Sequence, residues 1–169
     1  MLYIYPRRSM KYRNLTYQEL IVLKDDFNDF LYDHRYNRFE WRVLLDHDSS
    51  LAIDLLRKYS ESTFDKVMKG INYLELRTNK MLRVMHCKRN AIVTLGIEVP
   101  LHSNIDLLDI HTLKNPELKD LKGYRCFKTI APYQVERENE VFQLIENGAY
   151  VVDQTSFEHL SLLRQTFQN

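Results

Sequence analysis

Two short stretches hold side chains suited to metal binding or nucleophilic chemistry. "DHD" at Asp46 to Asp48 sets two carboxylates around an imidazole, a combination that can begin a metal site. His86 stands beside Cys87, which places a base next to a potential nucleophile. Adjacent residues of a helix or strand point in different directions, so the first trio would converge only in a loop. In a strand, His86 and Cys87 would face opposite sides of the sheet. Both patterns therefore favour structural roles.

A third stretch, "ELR" at Glu75 to Arg77, puts an acid and a base two residues apart, as metal-dependent nucleases do on one strand. No supporting acidic residue has a recognisable position, and alternating Glu and Arg are typical of an exposed strand face. An enzyme would therefore need a site assembled from distant residues. Such an enzyme would be supported by a deep pocket that contains at least two residues of the following set: Asp46, His47, Glu75, His86 and Arg137.

The sequence lacks the common enzyme signatures. It has no Gly-rich phosphate loop, no G-x-S-x-G and no H-E-x-x-H. Its two cysteines, Cys87 and Cys126, lack C-x-x-C spacing, which argues against a zinc site and against a disulfide scaffold. We expect no cofactor, no bound metal and reduced thiols.

Length and charge set the broad class of protein. The 169 residues, 44% of them hydrophobic, are enough for one domain with a core. The 24 basic and 23 acidic residues nearly cancel, so no overall field attracts nucleic acid or an anionic membrane. In "MLYIYPRRS" the basic pair follows the short apolar run, the reverse of a secretory signal. We expect a cytoplasmic protein without a membrane partner, with a leader at residues 1–9 that the fold does not need and one domain at 10–169.

Helices are expected over the first seventy residues. Thr16 and Glu19 form a T-x-x-E capping box, which predicts a helix start, and Asn37 and Glu40 repeat the spacing. Further apolar periodicity predicts a helix near residues 49–59 and another ending at Gly70. The first helix has an apolar stripe that should face the core: Leu20, Leu23, Phe27, Phe30 and Leu31.

The pattern then changes to strands. "INYLELR", "MLRVMHC" and "AIVTLGIEV", separated by "TNK" and "KRN", predict a meander of three antiparallel strands. In the third strand, the face carrying Thr94, Gly96 and Glu98 should meet water or a partner. The pattern of "YRCFKTIAPY" predicts a fourth strand, which follows a segment at residues 104–121 in which a short helix is one interpretation.

Two helices should complete the chain. An apolar stripe from Val141 to Ile145 ends at Gly148, and Thr155 with Glu158 predicts the cap of a last helix. The fold class is therefore α+β, with N-terminal and C-terminal helices packed against a small antiparallel sheet. The outer face of the sheet also carries apolar residues, among them Met85 and Ile92, which predicts that part of this face or edge is covered by the C-terminal helices or by a second copy in a symmetric dimer.

Four segments in this order resemble a domain-of-unknown-function family of flavobacteria and related Bacteroidetes. They are "MKYRNLT" from Met10, "EW" at Glu40, "INYLEL" from Ile71 and "VFQLIENGA" from Val141. The similarity covers nearly the whole chain from Met10 and implies that Met10 is the usual first residue of the family. It implies a bacterial source, but no activity, cofactor or partner.

Aromatic and basic residues suggest an interaction surface. The chain has 11 Tyr and 8 Phe, and several Tyr near the start lie beside Arg and Lys, a mixture that suits a protein interface or single-stranded nucleic acid. Rings packed on neighbouring helices are the plainer explanation. The predicted interaction surface consists of Tyr12, Arg13, Met85, Lys88, Arg89 and Ile92.

Three functions remain open on the sequence. The preferred one is a non-catalytic cytoplasmic interaction or accessory domain that binds a protein partner or forms a homodimer. The second is a nucleic-acid-binding protein that uses the basic, Tyr-rich start and the "CKRN" turn. The third is the enzyme with a site assembled from distant residues.

Overall fold

The computed structural model describes residues 11–108 and 124–168. The predictions for the leader at residues 1–9 and for most of the segment at 104–121 lie outside the described residues. The chain divides into two compact units, one ending at Val67 and one beginning at Met68.

The first unit is built from helices. They are α1 at Tyr17–Val22, α2 at Lys24–Asp33, α3 at Arg38–His47, and most of α4 at Ser49–Gly70. Both capping boxes form, so the predicted starts of α1 and α3 are confirmed. The predicted first helix is two helices, because the backbone at Leu23 leaves helical geometry. The two helices predicted between residue 49 and Gly70 are one continuous helix.

Tyr12 belongs to the core of the first unit, although the sequence suggested a surface role. Its side chain is 3% exposed, and its hydroxyl donates to Asp65 Oδ1 at 2.6 Å. Lys11 Nζ lies 2.7 Å from the same oxygen. The buried apolar residues of this unit are Tyr12, Leu15, Leu31, Ala52, Leu55, Tyr59 and Phe64.

The second unit contains an antiparallel sheet of five strands. These are β1 at Tyr73–Arg77, β2 at Met81–Cys87, β3 at Ala91–Glu98, β4 at Arg125–Pro132 and β5 at Tyr150–Val151. The strand order is β4-β3-β2-β1-β5. The predicted meander and fourth strand are therefore present. The sequence prediction missed β5, because two residues are too few to show an alternating pattern.

In the described part of the second unit, two helices accompany this sheet, α5 at Arg137–Glu146 and α6 at Gln154–Gln168. Gly148 lies beyond the end of α5 with φ of 96°, as predicted for a residue that follows a helix. The predicted cap at Thr155 is wrong, because Thr155 lies inside α6. The Asp153 carboxylate accepts from the Ser156 amide at 3.2 Å instead.

Both faces of the central strands are largely buried. On one face, α6 packs through Leu160 against a cluster that includes Leu82, Val84, Leu95 and Ile97. On the other face, Met85 and Ile92 are 5% and 8% exposed, and cover of this face by the C-terminal helices or by a second copy stays a prediction. The opposite face of β3, expected to meet water or a partner, is partly covered, because Thr94 and Glu98 are half-buried and Gly96 is buried there. A Cβ atom on Gly96 would clash with the Phe127 ring, so this ring occupies the space above the glycine.

Candidate functional site

The "DHD" residues lie at a boundary between helices of the first unit. Asp46 and His47 end α3, and the Asp48 carboxylate accepts from the Leu51 amide at 3.1 Å and from the Ser50 hydroxyl at 2.9 Å. These hydrogen bonds lower the pKa of Asp48. Among the residues that the structure describes, no three His, Cys, Asp or Glu side chains are placed to hold a metal ion.

Glu75 is a buried structural carboxylate and not part of an exposed strand face. It is 2% exposed and accepts hydrogen bonds from the Arg77 Nε–H and from the Tyr150 hydroxyl. Tyr150 is the register partner of Glu75 across β1 and β5. Burial and then the bond to Glu75 raise the pKa of Tyr150 to about 12, so this hydroxyl remains a donor. The added strand β5 therefore supplies a partner for a buried charge.

An open cleft of about 460 Å³ lies in the second unit and brings together four basic side chains; we call it the basic cleft. Its described lining residues include one carboxylate, that of Glu138, and two of the five proposed enzyme groups, His86 and Arg137. The other three, Asp46, His47 and Glu75, do not line it. The lining residues are Lys69, Asn72, His86, Cys87, Lys88, Arg89, Arg137 and Glu138.

Arg137 fixes the walls of the basic cleft. Its Nη1 donates to the Met68 carbonyl at 3.0 Å, and its Nη2 donates to the carbonyls of Ile71 and, at 3.0 Å, Cys87. These carbonyls belong to α4, to the link before β1 and to the end of β2. A planar guanidinium can donate in several fixed directions at once, as these three hydrogen bonds require. The Arg137 side chain is only 13% exposed. Arg137 is therefore a positioning residue.

The turn after β2 presents two exposed cations on an anchored backbone. The Lys88 amide donates to the Ala91 carbonyl at 3.0 Å, and the Tyr133 hydroxyl donates to the Lys88 carbonyl at 2.7 Å. Burial raises the pKa of Tyr133 to about 12, so this donor persists at neutral pH. Within the described ranges, Lys69, Lys88 and Arg89 are exposed and have no ion pair. The basic cleft therefore offers three available positive charges.

His86 and Cys87 do not form a nucleophile and base pair. The His86 ring lies 4.4 Å from that of Tyr73 and 5.6 Å from that of Phe157, centroid to centroid. Burial, followed by the nearby charge of Lys88, lowers the pKa of His86 and favours the neutral imidazole. Cys87 is 1% exposed, and burial raises the pKa of its thiol to about 11. The thiol therefore stays protonated and enclosed.

A smaller cavity of about 160 Å³, the apolar pocket, adjoins the basic cleft and shares His86 and Lys88 with it. Its described lining contains no carboxylate. Three cations, Lys88, Lys128 and Arg164, line it beside four apolar side chains. The lining residues are His86, Lys88, Val93, Leu95, Lys128, Ile130, Phe157, Ser161 and Arg164.

The six residues of the predicted interaction surface have different environments in the structure. Tyr12, Met85 and Ile92 are 3%, 5% and 8% exposed, so burial removes them from the surface of the described chain. Arg13, in the first unit, forms a bidentate salt bridge with Glu19, in which both hydrogen bonds measure 2.8 Å. The remaining two, Lys88 and Arg89, line the basic cleft in the second unit. A role for any of the six in binding stays a prediction.

Three cations that border these cavities were not singled out from the sequence. Lys69 lies at the end of α4, Lys128 on β4 and Arg164 on α6. Each is one charged residue in an ordinary helix or strand, and no local sequence pattern marks it. Their common location follows from the folded arrangement of the second unit.

Helices combined with an open antiparallel sheet of five strands define an α+β protein. The chain belongs to a family of unknown function (DUF6495), whose model matches residues 10–165. No curated protein and no solved structure gives a significant match. The resemblance to a domain-of-unknown-function family is confirmed, and its restriction to Bacteroidetes stays a prediction. In the described parts of the chain, no helix has the length and apolar character needed to span a membrane.

Proposed function

We propose that this protein is a non-catalytic interaction domain that binds a negatively charged partner at the basic cleft. The supporting observation is the convergence of Lys69, Lys88 and Arg89, which are exposed and without ion pairs among the described residues. Ammonium and guanidinium groups form strong charge-assisted hydrogen bonds with phosphate and carboxylate oxygens. Because the whole chain carries a net charge of only +1, attraction to an anion would come from this local cluster.

The non-catalytic part of the proposal rests on how the reactive groups are used. The guanidinium of Arg137 bonds to backbone carbonyls, Glu75 is paired inside the fold, and the Cys87 thiol is buried. These contacts support structural roles for all three. The proposal also places the protein in a reducing bacterial cytoplasm, which suits the free thiols of Cys87 and Cys126.

Removal of the three exposed charges tests the proposal. We expect a variant carrying Lys69→Gln, Lys88→Gln and Arg89→Gln to elute from a heparin column at lower salt than the parent. It should also lose the increase in melting temperature that tripolyphosphate gives the parent, because ligand binding stabilises the folded state by mass action.

A matched control removes three exposed lysines of the first unit, with the substitutions Lys24→Gln, Lys58→Gln and Lys66→Gln. This control lowers the net charge by the same amount, so it should bind tripolyphosphate like the parent if the basic cleft is the site. Equal losses in the two variants would show that only net charge matters, and the proposal would then be wrong.

A further inference from the structure

The apolar pocket adjoins the basic cleft, and the linings of the two cavities differ. His86 and Lys88 line both cavities, so the two lie side by side. Four basic side chains line the basic cleft, whereas the apolar pocket combines the side chains of Val93, Leu95, Ile130 and Phe157 with three cations. A ligand that occupies both cavities would join an anionic group to one that has both an apolar face and hydrogen-bond acceptors.

The size of the apolar pocket limits what its occupant can be. Sites for complete small molecules usually measure about 300–1,000 Å³. At about 160 Å³, this pocket suits a single ring system rather than a whole ligand. His86 and Phe157 supply aromatic rings at its wall, with centroids 5.6 Å apart, and aromatic rings favour contact with another flat ring.

The cationic side chains of the apolar pocket favour an occupant that also has hydrogen-bond acceptors. Lys88, Lys128 and Arg164 line this pocket beside its apolar residues, and its described lining contains no carboxylate. Ammonium and guanidinium groups act only as donors. A nucleobase combines a flat ring with carbonyl and ring-nitrogen acceptors, whereas a purely hydrocarbon group supplies none.

We infer that the basic cleft and the apolar pocket together bind a nucleotide unit, with the phosphate among Lys69, Lys88 and Arg89 and the base beside Phe157. This inference rests on the proposed function, because it assigns a chemical class to the anion bound there. The unit is either a free nucleotide or part of a single strand, and both present a phosphate joined to an unpaired base. Single-strand binding proteins combine the same two elements, a basic groove and aromatic contacts with bases.

The test compares a labelled 12-nucleotide oligo(dT) with an abasic strand of the same length, measured by fluorescence anisotropy. The parent should bind oligo(dT) at least about fivefold more tightly, because a base contributes stacking that the abasic strand lacks. Ser161→Phe should fill the apolar pocket without changing charge, which removes this preference and leaves the affinity for the abasic strand unchanged. Gln165→Phe places the same ring at an exposed position of α6 and serves as its control.

The outcomes separate this inference from the proposed function. Equal affinity of the parent for the two strands, or equal effects of the two Phe substitutions, would overturn the nucleotide assignment while leaving anion binding intact. If neither strand nor tripolyphosphate bound the parent, the proposed function itself would fail. Competition by dTMP would identify a free nucleotide as sufficient, whereas binding of oligo(dT) without such competition would indicate a strand. Either result would support the assignment.

Discussion

Replacement of Arg137 by lysine should destabilise the second unit strongly, although it keeps the charge. The guanidinium donates to three backbone carbonyls that end different segments, and it is 13% exposed. A lysine ammonium is a single point charge and cannot retain all three directions. Each lost hydrogen bond from a charged donor costs about 1.5–3 kcal/mol, so the loss of two predicts about 3 kcal/mol or more in unfolding free energy.

Urea unfolding followed by far-UV circular dichroism gives the change in unfolding free energy. The chain's one tryptophan, Trp41, lies in the first unit, so its fluorescence provides a separate probe of that unit. Hydrogen exchange at the Ile71 and Cys87 peptides would locate the effect. Arg89→Lys is the matched control, since this exposed side chain has no ion pair among the described residues and should change stability by less than about 0.5 kcal/mol.

Two results would refute the role of Arg137 in holding the basic cleft together. If Arg137→Lys unfolded at the same urea concentration as the parent, and its cleft amides exchanged no faster, the three carbonyl bonds would not be holding the basic cleft together. The assignment of Arg137 as a positioning residue would then be withdrawn. A loss of stability confined to the Trp41 signal would contradict the reasoning as well, because the bonds lie in the second unit.

Three further predictions concern other features of the fold. The bonds from Arg13 lower the pKa of Glu19 to about 2, well below the usual value for a glutamate. The extra stability of the parent over Glu19→Gln, measured by urea unfolding at several pH values, should therefore be complete above about pH 4.5 and be lost as the pH falls towards 2. Gly96→Ala should lower the melting temperature, because the new Cβ meets the Phe127 ring, and adding Phe127→Ala should reduce the cost of that substitution. Tyr150→Phe should cost about 1–3 kcal/mol of unfolding free energy by removing a donor from a buried carboxylate, whereas exposed Tyr32→Phe should be neutral. No melting-temperature change for Gly96→Ala, or equal effects of the two Tyr substitutions, would contradict these assignments.

Local signals in the sequence were enough to predict most of the elements. The capping boxes at Thr16 and Asn37 involve residues only three positions apart, and both form as expected. The composition and spacing of the three meander strands also predicted them correctly. By contrast, the burial of Gly96 depends on Phe127, a neighbour on another strand, and the exposure of that face could not be judged from β3 alone.

The candidate site was harder to predict because its parts come from distant segments. The "CKRN" turn drew attention to Lys88 and Arg89, and Arg137 was included among the possible enzyme groups. Its actual contacts are with backbone carbonyls, which every residue has, so no residue type in the sequence could indicate them. Lys69 is likewise an ordinary helix residue until the fold brings it to the basic cleft.

The near balance of charge in the chain gives the basic cleft a short range of action. With 24 basic and 23 acidic residues, the protein has little net field, and at physiological salt a charge is screened over about 8 Å. An anion is therefore attracted mainly when it is already close to Lys69, Lys88 and Arg89. Under these conditions the placement of the three charges matters as much as their number. Because Arg137 fixes that placement without being one of the exposed charges, its loss should weaken anion binding while the dependence of binding on salt changes little.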